Sequence, residues 1–110
     1  MTDKDTARLE RLFETIRSRR GGDPQVSYTA RLLAEGVDAI TAKVTEEAAE
    51  TVAAALGETP ARVAAESADL LYHLLVLWAA VGVEPGDVWA ELARREGTSG
   101  LAEKRARGDN

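Results

Sequence analysis

The sequence contains no cysteine and only one histidine among its 110 residues. It therefore cannot form disulfides, bind zinc through thiolates or use a thiol nucleophile. Aromatic residues make up only 5% of the chain, and the residues that favour strands are sparse. Alanine, leucine, glutamate and arginine, which are strong helix formers, are abundant instead. The composition thus favours an all-α fold.

Long apolar runs and an excess of positive charge are also absent. The longest apolar run, residues 74–83, is about half the length that a membrane-spanning helix needs, and the polar N-terminus does not resemble a signal peptide. The net charge is -5, with 19 acidic and 14 basic residues, which disfavours nucleic acid as a partner. We therefore expect a cytoplasmic protein that binds neither membrane nor nucleic acid, folded as one domain over residues 1–110.

Five helices are predicted from the spacing of apolar residues and from the residues that begin and end helices. Glycines or a Gly-Pro-rich segment should end each helix, and the loops between them are short. We expect an all-α bundle of four to five helices, with a last helical turn or two capped by Ser99. The expected caps of the five helices are Thr2 or Asp3, Ser27, Asp38, Thr59 and Glu84.

The fourth predicted helix is apolar over most of its circumference from Leu70 to Val81. A helix with this pattern is buried nearly all round, yet a chain of this length has few other helices with which to cover it. We therefore expect a homodimer in which the fourth helices pack across the interface, so that dimerisation completes the bundle.

Two pairs of carboxylates lie on the third and fourth predicted helices. Glu47 and Glu50 are three residues apart, as are Glu66 and Asp69, so each pair lies on one helix face. Both pairs lie roughly 10–15 Å from the intervening turn, and a short loop makes the two helices antiparallel neighbours. Either pair alone is common on a solvated helix. Together, the four carboxylates are expected to meet at the same height.

Converging carboxylates repel one another unless a cation neutralises them. Oxygen ligands favour Mg²⁺ or Mn²⁺ over zinc, and such a metal takes phosphate oxygens as further ligands. The spacing thus indicates a metal-dependent phosphohydrolase. His73 lies on the same polar stripe as Glu66 and Asp69; it is either a hydrogen-bonded core or interface residue, or a residue that contacts substrate or supports the carboxylates.

Four segments of the chain resemble the phosphoribosyl-ATP pyrophosphatase family, which is related to the MazG-like all-α nucleotide pyrophosphohydrolases. They occur in the family's order and cover nearly the whole chain. Thr45 and Ser67 depart from the family pattern, where Gly and Ala are more usual, but neither is a proposed ligand. The four segments are residues 27–33 (SYTARLL), 43–50 (KVTEEAAE), 66–76 (ESADLLYHLLV) and 94–104 (RREGTSGLAEK).

The resemblance implies hydrolysis of phosphoribosyl-ATP to phosphoribosyl-AMP and pyrophosphate, the second step of histidine biosynthesis. It implies Mg²⁺-dependent attack of water at the α-phosphorus, with Glu46 and Glu47 as catalytic residues and the identity of the general base left open. By the family's pattern, the metal ligands are Glu47, Glu50, Glu66 and Asp69. The residues expected to contact substrate are Lys43, Tyr72, His73, Arg94, Ser99 and Lys104.

Three alternatives stay open at this point. A pyrophosphatase of the same class that acts on non-standard or deoxy nucleotides would carry identical carboxylates. A di-iron carboxylate bundle needs Glu-x-x-His motifs, and no glutamate here has a histidine three residues later. A non-catalytic dimerisation module would leave its carboxylates in solvent and bind no metal.

Overall fold

A computed structural model describes residues 2–96 and 100–108. The described residues form helices and no strand, so the all-α fold is confirmed. The helices number six rather than four to five, because the segment after the fifth forms an eight-residue helix of its own. In chain order they are α1 (Asp3–Ser18), α2 (Tyr28–Glu35), α3 (Val37–Gly57), α4 (Pro60–Val81), α5 (Pro85–Arg95) and α6 (Gly100–Arg107).

Polar side chains begin most of the helices at the positions predicted from the sequence. Thr2, Ser27 and Thr59 each accept a hydrogen bond from the backbone N–H three residues further along. At the start of α5, Asp87 accepts a hydrogen bond of 2.9 Å from the backbone N–H of Glu84. These bonds satisfy N–H groups that have no partner inside the helix, so the helix boundaries follow from local chemistry.

The start of α3 differs from the prediction. Gly36 is the residue that precedes the helix, whereas Asp38 lies within its first turn and makes no capping hydrogen bond. Gly36 has a φ of 97°, a conformation that glycine adopts without steric cost, and it ends α2 as well as beginning α3. This one-residue connection moves the helix start ahead of Asp38. The cap predicted at Ser99 lies outside the described residues.

Helices α3 and α4 form the most extensive helix pair, and α1 and α2 pack against them. Only Glu58 and Thr59 connect α3 to α4, so the pair is antiparallel and its register is fixed by the turn. Positions equally far from the turn therefore face each other. The buried apolar cluster that joins this pair to α1 and α2 consists of Phe13, Ile16, Leu32, Ile40, Leu75 and Val76.

Helix α4 is long and apolar enough to cross a membrane by length and composition alone. It packs against α1, α2 and α3 and carries the buried polar residues Glu66 and His73, as a core helix of a globular protein does. The other helices of the same chain do not bury α4 completely, since Leu71 and Val81 are 46% and 52% exposed.

Candidate active site

Three carboxylates converge where α3 faces α4. Glu47 comes from α3, whereas Glu66 and Asp69 lie three residues apart on α4. One oxygen of each carboxylate lies within 4.8 Å of the others. Within the described part of the chain, this is the one group of acidic or histidine side chains close enough to hold a metal ion. The group lies at the height predicted from the distance of each residue to the turn.

Two of these carboxylates are buried without full hydrogen bonding. Glu47 is 8% exposed and Glu66 is 7% exposed, and the Oε2 atom of each is buried with no hydrogen-bond partner. A buried carboxylate oxygen without a partner is costly. A divalent cation would satisfy both atoms at once, and a set of oxygen donors suits a hard cation. The residues therefore fit a divalent metal.

A fourth carboxylate, Glu50, acts on Glu66 from α3. Its side chain lies within hydrogen-bonding reach of Glu66 and raises the pKa of Glu66; burial raises that pKa further, as does the charge of Asp69. Arg62 opposes these effects, because its guanidinium donates to Oε1 of Glu66. The pKa of Glu66 nevertheless stays above its ordinary value, so one arginine does not balance the negative charge of the group.

Arg62 is a feature that sequence reasoning missed. Its guanidinium lies 3.5 Å from the carboxylate of Glu58 and also pairs with Glu66. Each pair is separated by four residues, which is the spacing at which side chains meet on a helix, so the signal was present in the sequence. The contact holds Oε1 of Glu66, whereas Oε2 of the same carboxylate is buried with no hydrogen-bond partner.

Lys43 and Glu46, the predicted substrate contact and catalytic residue, lie on a side of α3 that is partly exposed to solvent. The Nζ atom of Lys43 lies 3.3 Å from Oε2 of Glu46, and this contact, followed by the influence of Tyr28, raises the pKa of Lys43. Glu46 is exposed and does not belong to the group of three carboxylates. It neighbours Glu47 in sequence but directs its carboxylate to the lysine.

Tyr72 and His73 join α4 to α2 beside the carboxylates. The Nδ1 atom of His73 lies 2.8 Å from the backbone oxygen of Asp69, and its Nε2 atom lies 3.0 Å from the Tyr28 hydroxyl. A carbonyl only accepts, so Nδ1 carries the proton and Nε2 accepts from the Tyr28 hydroxyl. The Tyr72 hydroxyl bonds to the hydroxyl of Thr29. Sequence reasoning did not single out Tyr28, although it lies in one of the four resembling segments.

The remaining predicted residues lie elsewhere. Arg94 is on α5, where it donates to Glu91 at 2.7 and 3.0 Å, and Lys104 is exposed on α6. Neither helix forms an extensive contact with α3 or α4 within one chain, so neither residue joins the carboxylate group there. Ser99 lies outside the described residues.

Comparison with known proteins gives one consistent result. The family model described as phosphoribosyl-ATP pyrophosphohydrolase matches residues 9–96, which include α2, α3, α4 and all four carboxylates. The match therefore covers the whole candidate site.

Curated relatives carry the same description. The chain is 59% identical over 104 residues to the phosphoribosyl-ATP pyrophosphatase of Paramagnetospirillum magneticum, covering 94% of this chain and 95% of the relative. It is 58% identical over 105 residues to that of Parvibaculum lavamentivorans, covering 96% of each. The corresponding protein of Azospirillum brasilense is 58% identical over 99 residues, with 90% and 89% covered.

Proposed function

The chain belongs to the phosphoribosyl-ATP pyrophosphohydrolase family, and we propose that it hydrolyses phosphoribosyl-ATP to phosphoribosyl-AMP and pyrophosphate in histidine biosynthesis. The convergence of Glu47, Glu66 and Asp69 within 4.8 Å is the observation that carries the proposal. A phosphohydrolase needs such a group to hold a divalent cation against its substrate. A protein that served only for dimerisation would not need buried carboxylate oxygens that lack hydrogen-bond partners.

The metal in this proposal is Mg²⁺, for which Mn²⁺ can substitute. Glu47, Glu66 and Asp69 hold it, and Glu50 completes the set from α3. When bound, Mg²⁺ supplies charge neutralisation for the carboxylates and polarises the phosphate oxygens of the substrate. Arg62 positions Glu66 by donating a hydrogen bond to its Oε1 atom.

In the proposed reaction, the side chains around the metal ligands act on the attacking water and on the substrate. A water oxygen forms a bond to the α-phosphorus, the bond from that phosphorus to the β-phosphate oxygen breaks, and pyrophosphate leaves with the electron pair. Glu46 and Glu47 are the proposed catalytic carboxylates, which orient the water, with the group that accepts its proton left open. Lys43, held by Glu46 at 3.3 Å, contacts the substrate phosphates. Tyr72 and His73 line the adjoining part of the substrate site.

The proposal also includes a cytoplasmic homodimer in which residues 1–110 form one domain. Exposed apolar residues on α3 and α4, among them Leu56 at 84% and Leu71 at 46%, support a second copy packed on this pair. Arg94, Ser99 and Lys104 are also proposed to contact the substrate, from either subunit of the dimer. Light scattering at micromolar concentration tests the dimer, and a monomer would contradict it.

The function is tested by following pyrophosphate release from phosphoribosyl-ATP in the presence of Mg²⁺. Release should stop when EDTA is added and in Glu47→Gln, which keeps the shape of the side chain but removes a ligand charge. Glu10→Gln makes the same substitution at an exposed position on α1 and should retain wild-type activity. A folded protein that binds Mg²⁺ but prefers deoxynucleotides would instead be the pyrophosphatase with another substrate.

A further inference from the structure

Tyr28 lies at the edge of the candidate site with part of its ring exposed. It is 40% exposed and begins α2. Its hydroxyl lies 3.0 Å from Nε2 of His73. The Arg31 guanidinium lies over its ring at 5.3 Å from the ring centre, within the distance of about 6 Å at which a cation is attracted to an aromatic face. Burial raises the pKa of Tyr28, whereas the charges of Lys43 and Arg31 lower it. Two cations from different helices thus act on one tyrosine.

The Arg31 guanidinium is available to a ligand. It is exposed, and no carboxylate among the described side chains of residues 2–96 and 104–108 forms an ion pair with it. Its contact with Tyr28 is a cation–π contact rather than a hydrogen bond, so its N–H donors can bind an anion in the forked geometry that suits phosphate. The cation–π contact favours a position of the side chain over the Tyr28 ring before a ligand arrives.

A continuous series of contacts connects Arg31 to the carboxylate group. The Arg31 guanidinium lies over the Tyr28 ring, the Tyr28 hydroxyl bonds to His73, and His73 bonds at 2.8 Å to the backbone oxygen of Asp69. Arg31 is therefore separated from the α4 carboxylates by one tyrosine ring and one imidazole ring. Its position relative to them is set by packing rather than by a flexible loop.

The proposed substrate has phosphate at both ends. Its triphosphate must lie at the carboxylates, whereas the phosphate of the added ribose projects from the far side of the adenine. We propose that Arg31 and Tyr28, assisted by Lys43, form a subsite for this phosphomonoester and so determine the preference for a phosphoribosylated nucleotide over a plain one. This inference rests on the proposed function, and it assigns a role to two residues on α2.

The experiment compares the binding of phosphoribosyl-AMP with that of AMP, which lacks the second phosphate, by calorimetry with Mg²⁺ present. Arg31→Gln should weaken binding of phosphoribosyl-AMP by about 10- to 100-fold, as expected for a lost charge-assisted hydrogen bond, and leave AMP within about twofold. Arg8→Gln, which removes the same charge from an exposed position on α1, should alter neither. Tyr28→Ala should resemble Arg31→Gln, and Tyr28→Phe, which keeps the ring, should recover most of the binding.

Kinetics provides a second readout that a purely structural role would not give. With phosphoribosyl-ATP as substrate, Arg31→Gln should raise KM and leave kcat within about twofold, because a contact far from the breaking bond is made equally in the ground state and the transition state.

Several results would overturn the subsite. Equal weakening of phosphoribosyl-AMP and AMP would place Arg31 on the nucleotide phosphates instead, and no weakening of either would remove it from the site. A wild-type protein that binds both compounds equally well would also overturn the inference. The binding comparison needs no turnover, so failure of the proposed hydrolysis is observed separately as absence of pyrophosphate release from the wild-type protein.

Discussion

Two glutamates of this protein, Glu66 on α4 and Glu91 on α5, have opposite surroundings. Glu91 accepts hydrogen bonds from Arg94 at 2.7 and 3.0 Å and from Arg95 at 3.0 Å, and these arginines lower the pKa of Glu91 to about 2. Glu66 is buried beside Glu50 and Asp69, which together with burial raise its pKa in spite of Arg62.

The difference shows that acidic side chains indicate a bound ligand only when the surrounding residues leave their negative charge unbalanced. The carboxylate of Glu91 is paired with arginines of the same helix and is in contact with solvent. These ion pairs, which are common on helix surfaces, are sufficient to explain the presence of the residue. The ionised form of Glu66 is disfavoured in the chain alone, as its raised pKa indicates, and a cation bound to the group would favour it. The same side chain is thus structural in one region and indicates a ligand in the other.

The strongest test of this difference between Glu66 and Glu91 is to make the same substitution in both regions. Glu66→Gln removes a proposed metal ligand and should lower kcat/KM for phosphoribosyl-ATP by at least about 100-fold, since even residues that only support metal ligands are worth 10- to 100-fold. Glu91→Gln removes no proposed metal ligand and acts only through Arg94, a proposed substrate contact that Glu91 holds, so it should lower kcat/KM by less than about tenfold. Pyrophosphate release over a range of substrate concentrations measures both.

Circular dichroism of the two variants serves as the control, because a helical spectrum equal to that of the wild type excludes misfolding as the cause of lost activity. Comparable loss of activity in both variants would show that the two glutamates do not differ in function as their surroundings indicate.

The second expected effect is on stability. A cation that binds only the folded state at a hundred times its Kd adds about 2.7 kcal/mol to the free energy of unfolding. Mg²⁺ should therefore raise the Tm of the wild-type protein and of Glu91→Gln, and have little effect on Glu66→Gln. Thermal unfolding with Mg²⁺ or with EDTA makes the comparison. An equal shift in all three proteins would place the bound Mg²⁺ elsewhere.

Much of the fold was predictable because it depends on local chemistry. Helix starts at Ser27 and Thr59 follow from capping side chains, and the short turn between α3 and α4 brings Glu47 opposite Glu66. The start of α3 was not predictable in this way, since Asp38 is as good a cap in sequence as Ser27. Only the geometry of Gly36, which serves two helices at once, decides against it.

The candidate site was predictable in part for the same reason. Spacing along α3 and α4 was sufficient to bring Glu47, Glu66 and Asp69 together. The contact between Tyr28 and His73 joins residues 45 positions apart on helices whose relative orientation the spacing does not fix. Contacts within one helix, or between two helices joined by a two-residue turn, can be read from sequence, whereas contacts between helices far apart in the chain depend on packing angles.

A third test of the difference measures the free energy of unfolding as a function of pH in the absence of metal. The folded pKa of Glu66 is raised above its ordinary value of 4.5, so its contribution to stability is fully present below that value and is lost as the pH rises through the raised pKa. The metal-free wild-type protein should therefore lose stability relative to Glu66→Gln as the pH increases from acid to neutral. Urea unfolding in EDTA at a series of pH values measures this, and a difference that does not vary with pH would contradict it.

The smallest effect is expected at Glu91 and has the opposite sign. Its folded pKa of about 2 lies below the ordinary value of 4.5, so its contribution is present above pH 4.5 and is lost as the pH falls toward 2. Wild-type protein should thus be slightly more stable than Glu91→Gln at neutral pH, and the difference should vanish in acid. Because these side chains contact solvent, high salt should also reduce it. A difference that survives both acid and salt would mean that Glu91 stabilises α5 by packing rather than by its charge.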